Sequence, residues 1–161
     1  MTYTSRLDIP AHIRKHSIEL LQARLSDAID LDLQTKQAHW NVKGRNFHQL
    51  HLFFDSVHDV VEEFVDLIAE RITSLGGVAD GRVQTTAKAS SLYEYPVEAI
   101  GGEAHLKAVA AALAGFGKLA RAGIDAAQGF GDADTADLFT QISRETDKQL
   151  WFVEAHLLDQ V

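Results

Sequence analysis

Cysteine is absent from this chain of 161 residues, and proline is almost absent, with Pro10 and Pro96 as its two examples. Without cysteine there can be no disulfide bridge, thiolate metal site or cysteine nucleophile, so a metal would have to be held by nitrogen and oxygen atoms. With so few prolines, long helices can run uninterrupted. The sequence also lacks an apolar run of membrane-spanning length and a signal-like N-terminal core. We therefore expect a cytoplasmic protein that does not contact a membrane.

Basic charge is scarce as well. The chain has 15 Lys and Arg residues against 23 Asp and Glu residues, which gives a formal net charge of −8. Binding to nucleic-acid phosphates needs clustered basic residues, so this balance argues against a general nucleic-acid surface. An acidic protein attracts cations, although the same charge also serves solubility alone. A hydrophobic content of 46% is ordinary for one soluble domain, and we interpret residues 1–161 as a single domain with residues 1–9 as a short tail.

Apolar residues recur at helical spacing in four long segments, and no run alternates as a strand does. The segments are residues 10–40, 47–75, 103–127 and a last one that begins after Asp132 or Asp134. Asp8 is the expected cap of the first helix, and Gly76 with Gly77 is expected to end the second. These helices are long for an ordinary domain, in which about three or four turns are typical.

The connections between these helices differ in length. Residues 41–44 form a tight turn, residues 78–93 form a long polar loop, and residues 129–131 separate the third helix from the fourth. Residues 96–100 are expected to add a short helical turn inside the long connection. Short, long and short connections between four helices describe a bundle with one long crossover. The sequence therefore predicts an all-α, ferritin-like four-helix bundle whose crossover contains a short helix.

Two pairs of metal-ligating residue types lie at helical spacing in the second segment. His51 and Asp55 are four residues apart, as are Asp66 and Glu70, so the members of each pair share a helix face. Imidazole and carboxylate suit a redox-active first-row metal such as iron. His51 and Asp66 would be about 22 Å apart along one helix, whereas ligands lie about 2 Å from an ion. One chain therefore offers two half-sites on broadly the same side of one helix.

Two copies of this helix can complete the half-sites. If they pack antiparallel about a two-fold axis, the first pair of one copy lies beside the second pair of the other, and symmetry makes two equivalent sites. The Glu-x-x-His spacing of an ordinary di-iron centre within one bundle is missing from the sequence. The spacing thus predicts a metal site at a dimer interface.

A resemblance to a known family rests on the same part of the chain. The run Thr-Lys-Gln-Ala-His-Trp-Asn and the later run Asp-Leu-Ile-Ala-Glu-Arg resemble the signature of Dps proteins, the DNA-binding proteins from starved cells. The last helix is similar to the family's as well, and the resemblance spans about Leu33 to the C-terminus. The stretches that carry it are residues 35–41, 46–55, 66–77, 134–139 and 147–156.

The resemblance implies a hollow dodecamer of ferritin-like subunits that oxidises Fe(II), with hydrogen peroxide preferred to oxygen, and stores the ferric product as a mineral. It implies ligands His39, His51 and Asp55 from one subunit. From the partner it implies ligands at the positions of Asp66 and Glu70. A two-iron centre is compatible with this set, and zinc or another divalent metal can take the place of iron.

The resemblance also suggests roles for residues near this site. Trp40, next to His39, resembles the family tryptophan that intercepts stray oxidants, and packing in the interface is a compatible alternative. Asp132 and Asp137 match a region that lines a three-fold pore in the family. We hypothesise that they guide Fe(II) inward, and capping of the last helix is the simpler role.

Other polar residues are assigned simpler roles. His12 and His16 lie four apart on the first helix and are interpreted as a surface pair. Helical spacing could add several residues of the second helix to a site, but a solvated or cavity-facing acidic surface is the preferred interpretation. Those residues are His58, Asp59, Glu62 and Glu63. The remaining histidines, His48, His105 and His156, are assigned structural roles.

Two other functions remain open at this stage. The first is a nucleoid-associated protein that binds and protects DNA, with the metal site secondary. Arg6 is the only basic residue before Pro10, so DNA binding is expected to be weak or absent at physiological salt. The second is a helical bundle that only assembles, with its polar residues solvated. A solvated face has no reason to place imidazoles and carboxylates at these spacings, so iron storage with ferroxidase activity is preferred.

Overall fold

The computed structural model describes residues 5–158 and contains five α-helices. They are α1 (Ala11–Asn41), α2 (Phe47–Ser74), α3 (Val83–Ala89), α4 (Gly102–Phe130) and α5 (Ala133–Ala155). Within residues 5–158 there is no β-strand, and a single isolated bridge joins Lys43 to Gly101. None of the described helices combines the length and the apolar character needed to cross a membrane. The all-α prediction with four long helices is confirmed.

Helices α1 and α2 form one hairpin, and α4 and α5 form another. The short α1–α2 connection makes the first pair antiparallel, so His39 lies against His51 near the turn and Asp32 lies against His58 further along. The hairpins join through contacts of α1 with α4 and of α2 with α5. The four long helices thereby enclose one hydrophobic core.

Helix α2 has one apolar face and one polar face. Its buried side chains recur every three or four residues, and they are Leu50, Phe54, Val57, Val61, Phe64, Ile68 and Ile72. Full burial of a side chain of this size contributes about 1.5–3 kcal/mol. The predicted ligands of α2 lie outside this stripe and are half-buried or exposed. Core packing therefore sets the rotation of α2 and turns its ligand-type residues outward.

The glycine signals at helix ends are confirmed, and one aspartate signal is wrong. Gly76 after α2 and Gly131 after α4 both have a φ of 90°, a left-handed conformation that glycine adopts at little cost. Asp8 does not cap α1. The helix begins after Pro10, whose ring presets the backbone angle, and no side chain caps it.

The short helix of the crossover lies earlier in the chain than predicted. Helix α3 falls within residues 78–93, which were expected to form a loop, whereas residues 96–100 form only a turn. Asp80 organises the start of α3 by accepting hydrogen bonds of 2.8 Å from Arg82 Nε and 2.8 Å from Thr85 Oγ1. Helix α3 has only 7 residues, which is too short for its apolar periodicity to be recognised.

Polar side chains of α1 hold the crossover in place. Gln22 exchanges two hydrogen bonds, of 3.0 and 2.8 Å, with the backbone of Asp80. The buried carboxylate of Asp27 accepts a hydrogen bond of 2.6 Å from the Ser91 amide. These contacts satisfy polar groups that would be costly to bury unpaired, and they attach the long connection along α1.

Candidate metal centre

The turn end of the α1–α2 hairpin brings two predicted ligand histidines together. The His39 and His51 rings stack with their centroids 3.8 Å apart. His39 Nδ1 lies 2.7 Å from the His51 carbonyl oxygen, and His51 Nδ1 lies 2.9 Å from the His39 carbonyl oxygen. A carbonyl oxygen only accepts, so both Nδ1 atoms donate, and in each neutral ring the lone pair is on Nε2. Both rings are thus held in place with a metal-ligating nitrogen available.

Asp55 lies one turn of α2 beyond His51. Its Oδ1 is 3.6 Å from His39 Nδ1 and also forms an ion pair with Lys36 Nζ. The hydrogen bond from Lys36 lowers the pKa of the Asp55 carboxyl below its ordinary value, and nearby His39 acts in the same direction. The Asp55 side chain is 40% exposed, so an ionised carboxylate is within reach of a cation. Lys36 was missed by the sequence reasoning, although its position three residues before His39 places it on the same helix face.

The acidic pair of the prediction lies elsewhere on the molecule. Asp66 and Glu70 are both exposed. Because α2 is one uninterrupted helix, Asp66 lies about 22 Å from His51 along its axis. One chain therefore assembles the histidine half of the predicted site and leaves the acidic half separate.

Two large apolar side chains that are adjacent in sequence to the ligand histidines are exposed. Trp40 is 58% exposed and follows His39 at the end of α1. Leu52 is 53% exposed and follows His51 on α2. Aromatic residues are enriched where one protein surface covers another, so this end of the hairpin has the character of a contact surface.

A second group of ligand-type side chains lies in the middle of α2. One ligand atom each from His58, Asp59 and Glu62 lies within 4.8 Å of the other two. Asp32, on α1, lies beside this group, with its Oδ1 2.7 Å from His58 Nδ1. Burial raises the pKa of the Asp32 carboxyl, while His58 opposes that shift. The sequence favoured a solvated acidic surface here. The structure leaves Asp59, Glu62 and Glu63 exposed, as expected, and brings His58, Asp59 and Glu62 together with Glu63 outside the group.

The position of Asp132 corrects the prediction that this residue lines a pore. It was expected to guide Fe(II) together with Asp137, but only 2% of Asp132 is exposed. Its carboxylate accepts hydrogen bonds from Ser17 Oγ at 2.5 Å, Arg71 Nη2 at 2.9 Å and Thr135 N at 3.0 Å. Burial raises the pKa of this carboxyl, but the hydrogen bonds from Ser17 and Thr135 and the Arg71 charge outweigh burial, so the pKa lies below its ordinary value. Asp132 therefore caps α5 and attaches it to α1 and α2.

Asp137 remains exposed. With Asp134, Arg71 and Glu70 it contributes to a shallow depression of about 380 Å³. This depression includes one residue of the predicted acidic half-site, so the two regions adjoin on the surface.

Several other histidines lie outside both groups of ligand-type residues. His12 and His16 are exposed at the start of α1, and the three-ligand group found within residues 5–158 does not include them. His105 is 1% exposed, and its Nδ1 lies 2.6 Å from the Tyr95 hydroxyl. Burial lowers the pKa of His105, which favours a neutral ring in the core. His48 is exposed near the start of α2.

Comparison with known proteins identifies the class to which this arrangement belongs. The model of the ferritin-like domain family matches residues 18–160 of the chain. Four long helices joined by short, long and short connections are the topology of that class. The chain is therefore a ferritin-like domain protein, and the predicted fold is confirmed.

Two relatives define the family more narrowly. The DNA protection during starvation protein of Agrobacterium fabrum (strain C58) is 38% identical over 156 residues, which cover 97% of this chain and 96% of the relative. A protein of the same name from Mycolicibacterium smegmatis is 35% identical over 139 residues, which cover 86% of this chain and 75% of the relative. The chain belongs to the family of DNA protection during starvation proteins, the Dps family.

Solved structures of Dps proteins share the fold along the whole chain. Mycobacterium smegmatis Dps in its tetragonal form has a TM-score of 0.91 at 31% identity, covering 99% of this chain and 96% of that one. DpsC from Streptomyces coelicolor has a TM-score of 0.93 at 28% identity, covering 100% and 94%. Dps from Microbacterium arborescens in its high iron form has a TM-score of 0.87 at 29% identity, covering 98% and 100%. Membership of this family supports iron storage and DNA protection as general functions.

Proposed function

We propose that this protein is a ferroxidase that oxidises Fe(II), preferentially with hydrogen peroxide, and stores the ferric product inside a hollow assembly of its own copies. The observation that carries the proposal is the stacked pair His39 and His51. Their Nδ1 atoms are held by carbonyl oxygens, which leaves both Nε2 atoms available, and the Asp55 carboxylate lies beside the His39 ring. Two neutral imidazoles beside an ionised carboxylate form one half of a site for a first-row divalent metal.

The site is proposed to be completed by a second copy of the chain. Two α2 helices would pack antiparallel about a two-fold axis, so that Asp66 and Glu70 of one copy face the histidine half of the other. The uninterrupted length of α2 supports this arrangement, because it prevents one chain from joining its own halves. The exposed Trp40 and Leu52 support it as well, because a partner would cover them. The dodecamer expected of the family is the proposed final assembly, built from these dimers.

The residue types suit Fe(II) as a substrate. Two Fe(II) ions each lose one electron, and one hydrogen peroxide molecule takes both electrons and two protons to become two water molecules. Because both electrons go to one peroxide, no hydroxyl radical is released. Carboxylates stabilise Fe(III) as positive charge increases, whereas neutral imidazoles suit Fe(II). A two-iron centre fits this stoichiometry, and zinc or another divalent metal can occupy the same ligands.

Trp40 is proposed to have two compatible roles. It is adjacent to His39 in the chain and is 58% exposed. Its indole ring can intercept oxidants that escape the site, and it can pack against the partner subunit. Trp40→Phe would preserve packing more than redox chemistry, so this variant should oxidise Fe(II) normally while accumulating more oxidative damage.

Fe(II) uptake is proposed to follow the acidic surface around Asp137. Asp132 has no part in this route, because its carboxylate is buried and fully hydrogen-bonded. Asp137 and Glu70 border the same depression, which connects the uptake surface to the acidic half-site. Slower mineral formation by Asp137→Asn is expected, and an unchanged rate of iron uptake would remove this route.

Stopped-flow measurement of Fe(II) oxidation by hydrogen peroxide tests the main proposal. His51→Ala and Asp66→Ala should each reduce the rate at least about tenfold, because even the loss of a residue that only supports a metal ligand has an effect of this size. His48→Ala, an exposed histidine on the first turn of α2, is the matched control and should oxidise Fe(II) normally. A mixture of refolded His51→Ala and Asp66→Ala subunits should recover part of the activity, because some interfaces then contain one intact site. Equal rates for wild type and both variants would remove the proposed site.

Association with the nucleoid is the second candidate function. Two relatives are named for DNA protection, which favours it. The net charge of −8 and the single basic residue before Pro10, Arg6, favour weak or absent DNA binding by this chain. We propose a cytoplasmic iron store in which DNA contact is secondary. Tight binding in a gel-shift assay at about 150 mM salt would overturn this ranking.

A further inference from the structure

We infer a second divalent-cation site in the middle of α2, formed by His58, Asp59 and Glu62 with Asp32 beside it. The first three residues each place one ligand atom within 4.8 Å of the others. Ligands bound about 2 Å from one ion lie roughly 3–4 Å from each other. Asp59 and Glu62 are exposed, so small rotations of their side chains are enough to bring the group to that spacing.

A carboxylate from another helix holds the histidine of this group in place. Asp32 Oδ1, on α1, lies 2.7 Å from His58 Nδ1, and neither atom has another partner among the described residues. A carboxylate that contacts one ring nitrogen fixes the orientation of the imidazole and leaves the other nitrogen for a metal. A cation bound at the group would also place positive charge near the Asp32 carboxyl. Asp32 therefore has the position of the carboxylates that commonly support metal-bound histidines.

The donor set indicates which cations would bind. One imidazole with two or three carboxylates suits first-row divalent metals such as Fe(II), Mn(II), Co(II) and Zn(II). Calcium prefers six to eight oxygen ligands, and magnesium is reluctant to lose its water, so both fit the imidazole less well. The site therefore selects the same class of ion as the interfacial site, through a separate set of residues.

The position of the group has a consequence that rests on the proposed function. If His51 of one copy faces Glu70 of the other, and Asp55 faces Asp66, the two-fold axis crosses α2 near residues 60–61. At about 100° per residue, the cation group lies on the same outward side of α2 as those four residues. Two copies of the group would then meet across the axis, and their carboxylates would repel each other unless a cation lies between them. His58, Asp59 and Glu62 already lie together within one chain, so their proximity does not depend on the proposed dimer.

Cobalt(II) binding to the full-length protein tests the inference without redox chemistry. In the absence of peroxide and oxygen, Co(II) would be titrated into a His51→Ala/Asp66→Ala background, in which the interfacial site is disabled. Calorimetry gives the affinity, and the visible absorption of Co(II) reports the ligands. At least one Co(II) for every two chains should still bind. Adding His58→Ala, or Asp59→Asn with Glu62→Gln, should weaken this binding at least about tenfold.

Two controls distinguish Co(II) binding at this site from nonspecific binding to surface carboxylates and from the effects of misfolding. Glu63→Gln removes a neighbouring exposed carboxylate outside the group and should leave Co(II) affinity unchanged. The Asp59→Asn/Glu62→Gln change affects only exposed side chains, so it tests the site even if His58→Ala fails to fold. Absence of Co(II) binding in the background protein, or the same binding after these changes, would overturn the inference. Co(II) binding that depends on His58, in a protein whose Fe(II) oxidation ignores His51→Ala, would support this site and overturn the proposed function instead.

Discussion

Two aspartates of this protein, Asp132 and Asp55, differ in their burial and in the number of groups that hold their carboxylates. Asp132 is 2% exposed and accepts hydrogen bonds from three elements of the fold, through Ser17, Arg71 and Thr135. The Asp55 side chain is 40% exposed and is held mainly by one flexible side chain, that of Lys36. Both carboxyl groups have a lowered pKa, so ionisation alone does not distinguish them.

The number and rigidity of the donors make the difference. A carboxylate that is fully hydrogen-bonded inside the protein contributes to stability and has no lone pair to offer an incoming ion. A carboxylate paired with a single lysine at the surface gains little from that pair and can exchange it for a metal. We therefore assign Asp132 to the fold, and this difference supports Asp55 as a proposed metal ligand.

Replacing Asp132 should give the largest change in stability. Asp132→Ala leaves the Arg71 charge and two hydroxyl groups without their acceptor and removes the cap of α5. Breaking a buried pair in this way costs about 3–5 kcal/mol. Urea unfolding would measure the loss. Asp134→Ala, an exposed neighbour, is the matched control and should cost less than about 0.5 kcal/mol. If Asp132→Ala and Asp134→Ala lowered the free energy of unfolding equally, the buried contacts of Asp132 would not be an important source of stability.

Replacing Asp55 should give the opposite result. Asp55→Asn removes a charged ligand but leaves the core intact, so peroxide-driven Fe(II) oxidation should fall at least about tenfold. The free energy of unfolding should change by less than about 1 kcal/mol, because an exposed ion pair contributes little. Glu98→Gln, which neutralises an exposed carboxylate of the crossover, controls for net charge. If Asp55→Asn lowered the free energy of unfolding but left the rate of Fe(II) oxidation unchanged, Asp55 would be a structural residue and not a metal ligand.

Sequence periodicity was enough to predict the long helices, because the apolar stripe of α2 and the glycines after α2 and α4 are local signals. The separation of His51 from Asp66 also followed from local spacing, since a helix fixes how far apart two of its residues lie, whereas their role as two half-sites stays a prediction. The short helix α3 did not follow, because one or two turns contain too few apolar positions to define a period. Its start depends on Asp80, whose contacts with Gln22 lie far away in the sequence.

The different roles of Asp132 and Asp55 could not be read from the sequence. An aspartate before a helix predicts a cap, and Asp132 is one. Its burial, however, depends on Arg71 and Ser17, which reach it only after the helices have packed. The pairing of Asp55 with Lys36 depends in the same way on the register of the α1–α2 hairpin. Grouping His58 with Asp59 and Glu62 was visible as spacing, but the neighbouring Asp32 comes from another helix.

Lowering the pH tests the ionised state of Asp132, and its effect on the free energy of unfolding should be smaller than that of Asp132→Ala. The folded-state pKa of Asp132 lies below its ordinary value of 3.8, so its carboxylate stabilises the folded protein fully above that value. This contribution is lost as the pH falls through the folded-state pKa. Asp132→Asn should therefore be less stable than wild type at pH 7, and the difference should narrow as the pH falls below about 4. Urea unfolding at several pH values measures this, and a difference that does not change with pH would exclude the ionised carboxylate as its source.

Removing Lys36 should have the smallest effect and tests whether Asp55 is held only loosely. Asp55 is ionised at pH 7 with or without Lys36, because its ordinary pKa is 3.8. Lys36→Gln then removes a competing cation, and Zn(II) affinity at pH 7 should rise about two- to fivefold, as expected for a surface ion pair worth about 1 kcal/mol or less. Lys118→Gln, an exposed lysine of α4, is the control for net charge. If Lys36→Gln lowered Zn(II) affinity about tenfold instead, Lys36 would be positioning Asp55 for the metal, and Asp55 would resemble Asp132 in needing its partner to function.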